Sequence, residues 1–292
     1  MRPFLNVPDL APATELLPVA ATFAQAAPIV FTATVRWEEY VAPTYRATTI
    51  TRHLSLQLAP GAEAGGRVLD LRARGHHVRT EENQQLVTPE PVEAWAQRLA
   101  TLYAWLRVRV AASGEWVEIL NHAAIMQAWT ELRAELLAES PTGEPLLASL
   151  LTAVDQQVTD PQAVLRSLRY DYLYQALAGG WPTPPLLGAW SAERPRGFAA
   201  FLPGADLWFT EQVRTELATQ ALAVRGTLDP ARTTLAAWPL SADATDPPPH
   251  AGYEADVRLD AATGLPTYLD LTVFVRQAAA YNKQYTLTLA RA

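Results

Sequence analysis

The stretch that decides the fold is Ala251 to Val275, AGYEADVRLDAATGLPTYLDLTVFV. Tyr253, Ala255, Val257 and Leu259 are apolar and in phase, while Glu254, Asp256, Arg258 and Asp260 take the alternate positions. Side chains on a strand point to opposite faces with period two, so this run predicts a strand with one dry and one wet face. Ala261 to Gly264 turn the chain, and Leu265, Leu269, Leu271, Val273 and Val275 line the return. Tyr285, Leu287 and Leu289 start a last strand. One-sided alternation of this kind belongs to antiparallel sheets, because a parallel sheet is covered on both faces and reads as continuous apolar runs.

Working outward, the N-terminal part repeats the pattern. Ile29, Phe31, Ala33, Val35 and Trp37 alternate with Val30, Thr32, Thr34, Arg36 and Glu38. A second β-rich run spans Tyr45 to Leu58. After the loop Gly61 to Gly66, a third strand runs from Arg67 to about Thr80, with Leu69, Leu71 and Ala73 opposite Asp70, Arg72 and Arg74. Residues 28–80 therefore read as strands.

Residues 89–180 read mainly as helix. Pro91 suits a first helical turn, and Val92, Trp95, Leu99 and Leu102 follow at helical spacing. A hairpin over 103–120 interrupts the helices, with Leu106, Val108 and Val110 alternating with Arg107 and Arg109 before a Ser113-Gly114 turn. Asn121 stands where an N-cap belongs. Ile125, Trp129, Leu132 and Leu136 then form a stripe, and a further helix carries Leu147, Leu150, Leu151 and Val154. Asp160-Pro161 is a cap followed by proline at the first helical position, opening a helix that buries Val164, Leu165, Leu168 and Tyr172.

A Pro-rich connector at 181–185 leads to strands over 197–292, with 197–228 readable as either strand or helix. Residues 1–27 and 239–250 read as loops. Strands, then helices, then strands predict an α+β fold: a curved, mostly antiparallel sheet built from the N- and C-terminal strands and packed on the central helical segment. Because both ends supply strands, the expectation is one domain over 1–292. Such a sheet can curve into a half-barrel.

Composition narrows the chemistry. The 292 residues are 49% hydrophobic and 18% charged, with 23 Lys+Arg, 30 Asp+Glu, a net charge of −7 and no Cys. So apolar a chain can fold. Without Cys there is no disulfide, zinc–thiolate, iron–sulfur or cysteine-nucleophile chemistry. A net negative charge is the wrong sign for nucleic acid, so no nucleic-acid partner is expected. No stretch reaches the ~20 apolar residues of a membrane span. The run from Leu16 to Ala27 follows Asp9 and Glu15 rather than a basic segment, so it does not read as a secretory signal, and a cytoplasmic location is the expectation.

Phosphate-loop, dinucleotide, G-x-S-x-G and H-E-x-x-H patterns are missing, so no catalytic residue, metal ligand or cofactor is assigned. The adjacent pair His76-His77 would point to opposite faces of a strand and could not chelate one ion together. Glu254, Asp256 and Asp260 form a carboxylate set on one strand face, with Arg258 among them. Residues 28–80 hold seven Arg against four Asp+Glu, while residues 121–180 hold three Arg against seven. The candidate partner-binding residues are Arg72, Arg74 and His76, read as sharing one strand face, together with Trp105 on the polar side of its strand and Trp181, Trp190 and Trp238 in Pro-rich or irregular segments. Arginine and tryptophan are enriched at the energetic centres of protein interfaces. The leading expectation is a non-catalytic protein-interaction or assembly component of a bacterial system. A carrier of a hydrophobic ligand in a half-barrel cavity and a hydrolase-type enzyme are the alternatives.

Overall fold

The computed structural model describes residues 27–61, 66–88, 91–111, 116–139, 144–169, 171–177, 191–202, 205–216, 221–233, 250–260, 265–277 and 281–292. Within them run β1 (Ile29–Val41), β2 (Thr44–Pro60), β3 (Arg67–Glu82), β4 (Gln85–Val87), α1 (Pro91–Leu99), β5 (Trp105–Val110) and β6 (Trp116–Ile119). Four helices follow: α2 (His122–Glu139), α3 (Pro145–Thr159), α4 (Pro161–Arg169) and α5 (Tyr172–Leu177). The chain then returns to strands β7 (Ser191–Leu202), β8 (Ala205–Glu216), β9 (Ala221–Leu228), β10 (His250–Leu259), β11 (Pro266–Gln277) and β12 (Tyr281–Arg291).

All twelve strands belong to one sheet, in the order β6-β5-β3-β2-β1-β12-β11-β10-β9-β8-β7, with β4 beside β3. The described pairings are antiparallel, including the central pairing of β1 with β12. The fold is α+β, a curved antiparallel sheet joining N- and C-terminal strands and packed on the central helices. Its topology dictates where the helices go. β6 and β7 are the two ends of the strand order, so the chain between them must travel from one edge to the other across a face. Helices α2 to α5 belong to that traverse: α4 lies against β6, and α5 lies against β11.

The dry face is built in cross-strand rows. Val78, Ile50, Val35, Leu287, Leu271, Ala255, Val224 and Val213 follow one another across eight strands. From Leu287 onward this row is at most 4% exposed. Each fully buried aliphatic contributes about 1.5–3 kcal/mol, so a one-residue slip, which would turn the whole row to solvent, is strongly disfavoured. Aromatic rings join sheet to helix: Tyr285 meets Trp37 and Tyr172 at centroid distances of 4.5 Å each, and Trp116 meets Tyr174 at 6.0 Å.

Three sequence readings change. The described residues within the ambiguous range 197–228 are strand, and β7 begins earlier, at Ser191. Val92 is 46% exposed and Trp95 carries the burial of α1, because a proline-started nine-residue helix turns only a narrow stripe inward. Asn121 does not cap α2 with its side chain; its amide reaches across to β5 instead. The loop expectations for 1–27 and 239–250 fall almost wholly outside the described residues, although His250 already belongs to β10.

Candidate partner-binding face

The wet face of the sheet carries the residues of interest. β3 and β5 pair with Arg72 directly opposite Trp105, and Asp70 opposite Arg107. Directly opposed side chains lie within reach of each other, and three of them interlock. Asp70 Oδ1 accepts one hydrogen bond from Trp105 Nε1 and another from Arg72 Nε, each 3.2 Å long. The Arg72 guanidinium carbon stands 5.3 Å from the centre of the Trp105 ring. Trp105 is nevertheless 41% exposed. Leu120, just after the edge strand β6, is 41% exposed and adds apolar surface nearby, its amide donating to the Arg107 carbonyl at 2.7 Å.

The strand that presents Trp105 is braced from behind. Asn121 is 8% exposed, and its side chain donates to the Trp105 carbonyl and accepts from the Arg107 amide, both at 2.8 Å. One buried amide thus fixes the backbone on either side of Leu106. The sequence offered no clue to this role, since the asparagine stands exactly where an N-cap is common.

Charge on this part of the wet face is mainly positive. Arg109 is paired with Glu118 at 2.6 Å, and Arg79 with Glu81. Arg74 and Arg107 form no ion pair among the described residues. Arg72, Arg74, Arg107 and Trp105 therefore share one exposed surface.

His76 is not part of it. β3 contains a bulge in which Arg52 faces His76 and His53 faces Arg74, leaving Gly75 unopposed. Gly75 has φ +69°, the left-handed conformation expected of the glycine in such a bulge. The extra residue shifts the phase of alternation. Arg72 and Arg74 stay on the wet face, whereas His76 turns to the dry face beside Arg52, whose Nε donates to His76 Nδ1 at 3.1 Å. The sequence reading assumed unbroken alternation and so put all three on one face. His77, opposite Thr51, remains on the wet face, so the two histidines do diverge. Burial and, secondarily, the Arg52 charge hold the His76 pKa below the ordinary histidine value.

At the other half of the wet face, Gln212, Arg214, Arg225, Glu254, Asp256 and Asp270 line a shallow pocket of about 410 Å³. Asp256 is opposed directly by Asp270 across β10 and β11. Partial burial first, and the Asp256 charge second, push the Asp270 carboxyl up. The carboxylate set read from sequence does not converge. Glu254 is engaged by Arg225 at 3.2 Å, and Asp260 is engaged by Arg291 at 2.9 Å. Asp270 was overlooked because it lies on the return strand, and only the register brings it beside Asp256. No group of three metal-ligating side chains occurs among the described residues. Trp181, Trp190 and Trp238 lie outside the described residues. No helix among the described residues is long and apolar enough to cross a membrane.

No family model matches the sequence, and no curated protein matches it. Among solved structures, a chain from a study of lipid–protein interactions in lipovitellin overlays 92% of this chain at a TM-score of 0.42 and 9% sequence identity. The overlay spans 25% of the lipovitellin chain. A likeness that distant carries no functional argument.

Proposed function

We propose that the protein is a non-catalytic binding component acting as one domain, and that it docks a protein partner on the wet face of the sheet around Trp105, Arg72, Arg74 and Arg107. The observation that carries this reading is the exposed Trp105–Arg72 stack, held on a strand whose backbone is fixed by a buried amide. A half-exposed tryptophan with an arginine against its ring is the kind of anchor that dominates interface energetics once a partner excludes water from it. Two guanidinium groups without ion pairs next to it favour a partner face that supplies carboxylates.

The experiment is affinity purification of the intact chain from the cells that make it, in parallel with a Trp105→Ala/Arg72→Gln variant. Hot-spot truncations cost about 2 kcal/mol or more, which is over tenfold in affinity. The expected result is a stoichiometric protein that co-purifies with the wild type and is lost with the variant. The same co-purifying proteins at equal yield from both would overturn the docking face.

A further inference from the structure

The pocket on the far half of the wet face owes its space to register. Arg214, Ala223, Asp256 and Asp270 stand directly opposite one another in turn on β8, β9, β10 and β11. Neighbouring strands lie about 4.8 Å apart, so the backbones carrying Arg214 and Asp256 are about 10 Å apart. Only the Ala223 methyl fills the gap between them. The cavity of about 410 Å³ lies over this row, and Gln212, Thr272, Arg225 and Glu254 complete its lining.

The charges around that gap are sorted by sign. Arg225 and Glu254 engage each other at 3.2 Å. Arg214, Asp256 and Asp270 form no ion pair and no side-chain hydrogen bond among the described residues. Asp256 and Asp270 are like charges directly opposed, an arrangement that destabilises a sheet, and a cation held between them removes that cost. Partial burial and then the Asp256 charge already push the Asp270 carboxyl up. Across the Ala223 gap, the Arg214 guanidinium offers a fork of N–H donors to an anion. Two carboxylates are too few for calcium, which takes six to eight oxygens, but they match the N–H donors of one ammonium. Anionic and cationic walls on either side of a methyl floor fit a small solute that carries both charges a few atoms apart.

We infer that this pocket binds a free α-amino acid, with its ammonium between Asp256 and Asp270 and its carboxylate on Arg214. The planar fork of Arg214 matches a carboxylate, and the two aspartates share the ammonium protons. The site is built on β8 to β11 and is independent of docking at Trp105 on β5.

The test is a nuclear magnetic resonance titration of the full chain with L-alanine, ethylamine and propanoate, followed at the backbone amides. Alanine carries both charges, ethylamine the ammonium alone, and propanoate the carboxylate alone. Alanine is expected to shift the amides of Ala223 and its strand neighbours and to bind about tenfold more tightly than either fragment, as hydrogen bonds to a charged group imply. Arg214→Gln is expected to lower alanine affinity to that of ethylamine. Asp270→Asn is expected to weaken alanine and ethylamine alike while leaving propanoate unchanged, and it serves if Arg214→Gln does not fold. Amides far from the pocket report that each variant is folded. No shift with alanine, equal wild-type affinity for alanine and ethylamine, or an undiminished preference for alanine in a folded variant would each overturn the inference. Trp105→Ala is expected to leave alanine binding unchanged, so failure of the docking face and failure of this site remain distinguishable.

Discussion

Replacing Gly75 by alanine isolates the one residue that decides which face His76 occupies. A Cβ at Gly75 would meet only His53 Cδ2, at 3.5 Å, an ordinary van der Waals contact. Steric crowding by neighbours therefore adds nothing, and the cost is that of holding an L-residue at φ +69°, about 1–2 kcal/mol. Asparagine visits this conformation more readily than alanine, so Gly75→Asn should cost distinctly less. Urea unfolding followed by tryptophan fluorescence reads the difference. With a slope of about 3 kcal/mol per molar, the alanine variant should unfold about 0.5 M earlier than the wild type, with asparagine in between. A neutral alanine variant, or asparagine as costly as alanine, would refute the bulge as the source of the phase shift.

Asn121→Ala should destabilise by about 1–3 kcal/mol, because it strands the Trp105 carbonyl and the Arg107 amide; thermal unfolding checks it, and the Trp105 emission should shift toward that of a freely solvated indole. Asp270 has a carboxyl pKa raised in the folded state by burial and by Asp256. Its protonated form therefore favours folding at low pH, and that contribution is lost as pH rises through the folded pKa. Asp270→Asn should then stabilise by about 0.2–1 kcal/mol at pH 7, the scale of a directly opposed like-charge pair, and by nothing measurable near pH 3; a gain of equal size at both would contradict the pairing. Gly226 lies beneath Tyr253, and a Cβ there would stand 2.3 Å from Tyr253 Cδ1, so Gly226→Ala should cost about 1–3 kcal/mol in a denaturant series.

Legibility followed the strength of local alternation. The β10–β11 hairpin was readable because its strands keep one face dry, as Tyr253, Val257, Leu269 and Val273, all at 0% exposure, attest, and β1 because Ile29, Phe31 and Ala33 bury the first half of its alternating face. β7 was not, since Pro195 and Gly197 interrupt it and its pattern carries no clean period; its strand state comes from pairing with β8. The pairing of β1 with β12 matched the expectation that the two ends of the chain share a sheet. Of the candidate site, the neighbourhood of Arg72 and Trp105 was only half legible. Sequence placed each on a polar strand face, but their direct opposition depends on the β3–β5 register, which no local pattern encodes. His76 was misplaced for one reason: a glycine inside a strand can mark a bulge, and Gly75 was read through as an ordinary strand residue.

The docking claim is tested most directly by placing a photo-crosslinking amino acid at single positions and irradiating living cells. Position 105 sits in the proposed face, and position 268, on the wet face of β11 where Tyr268 packs with Arg258, serves as the control. The account expects one discrete protein adduct from position 105 and none from position 268. No adduct at 105, or the same adduct from both positions, would contradict it.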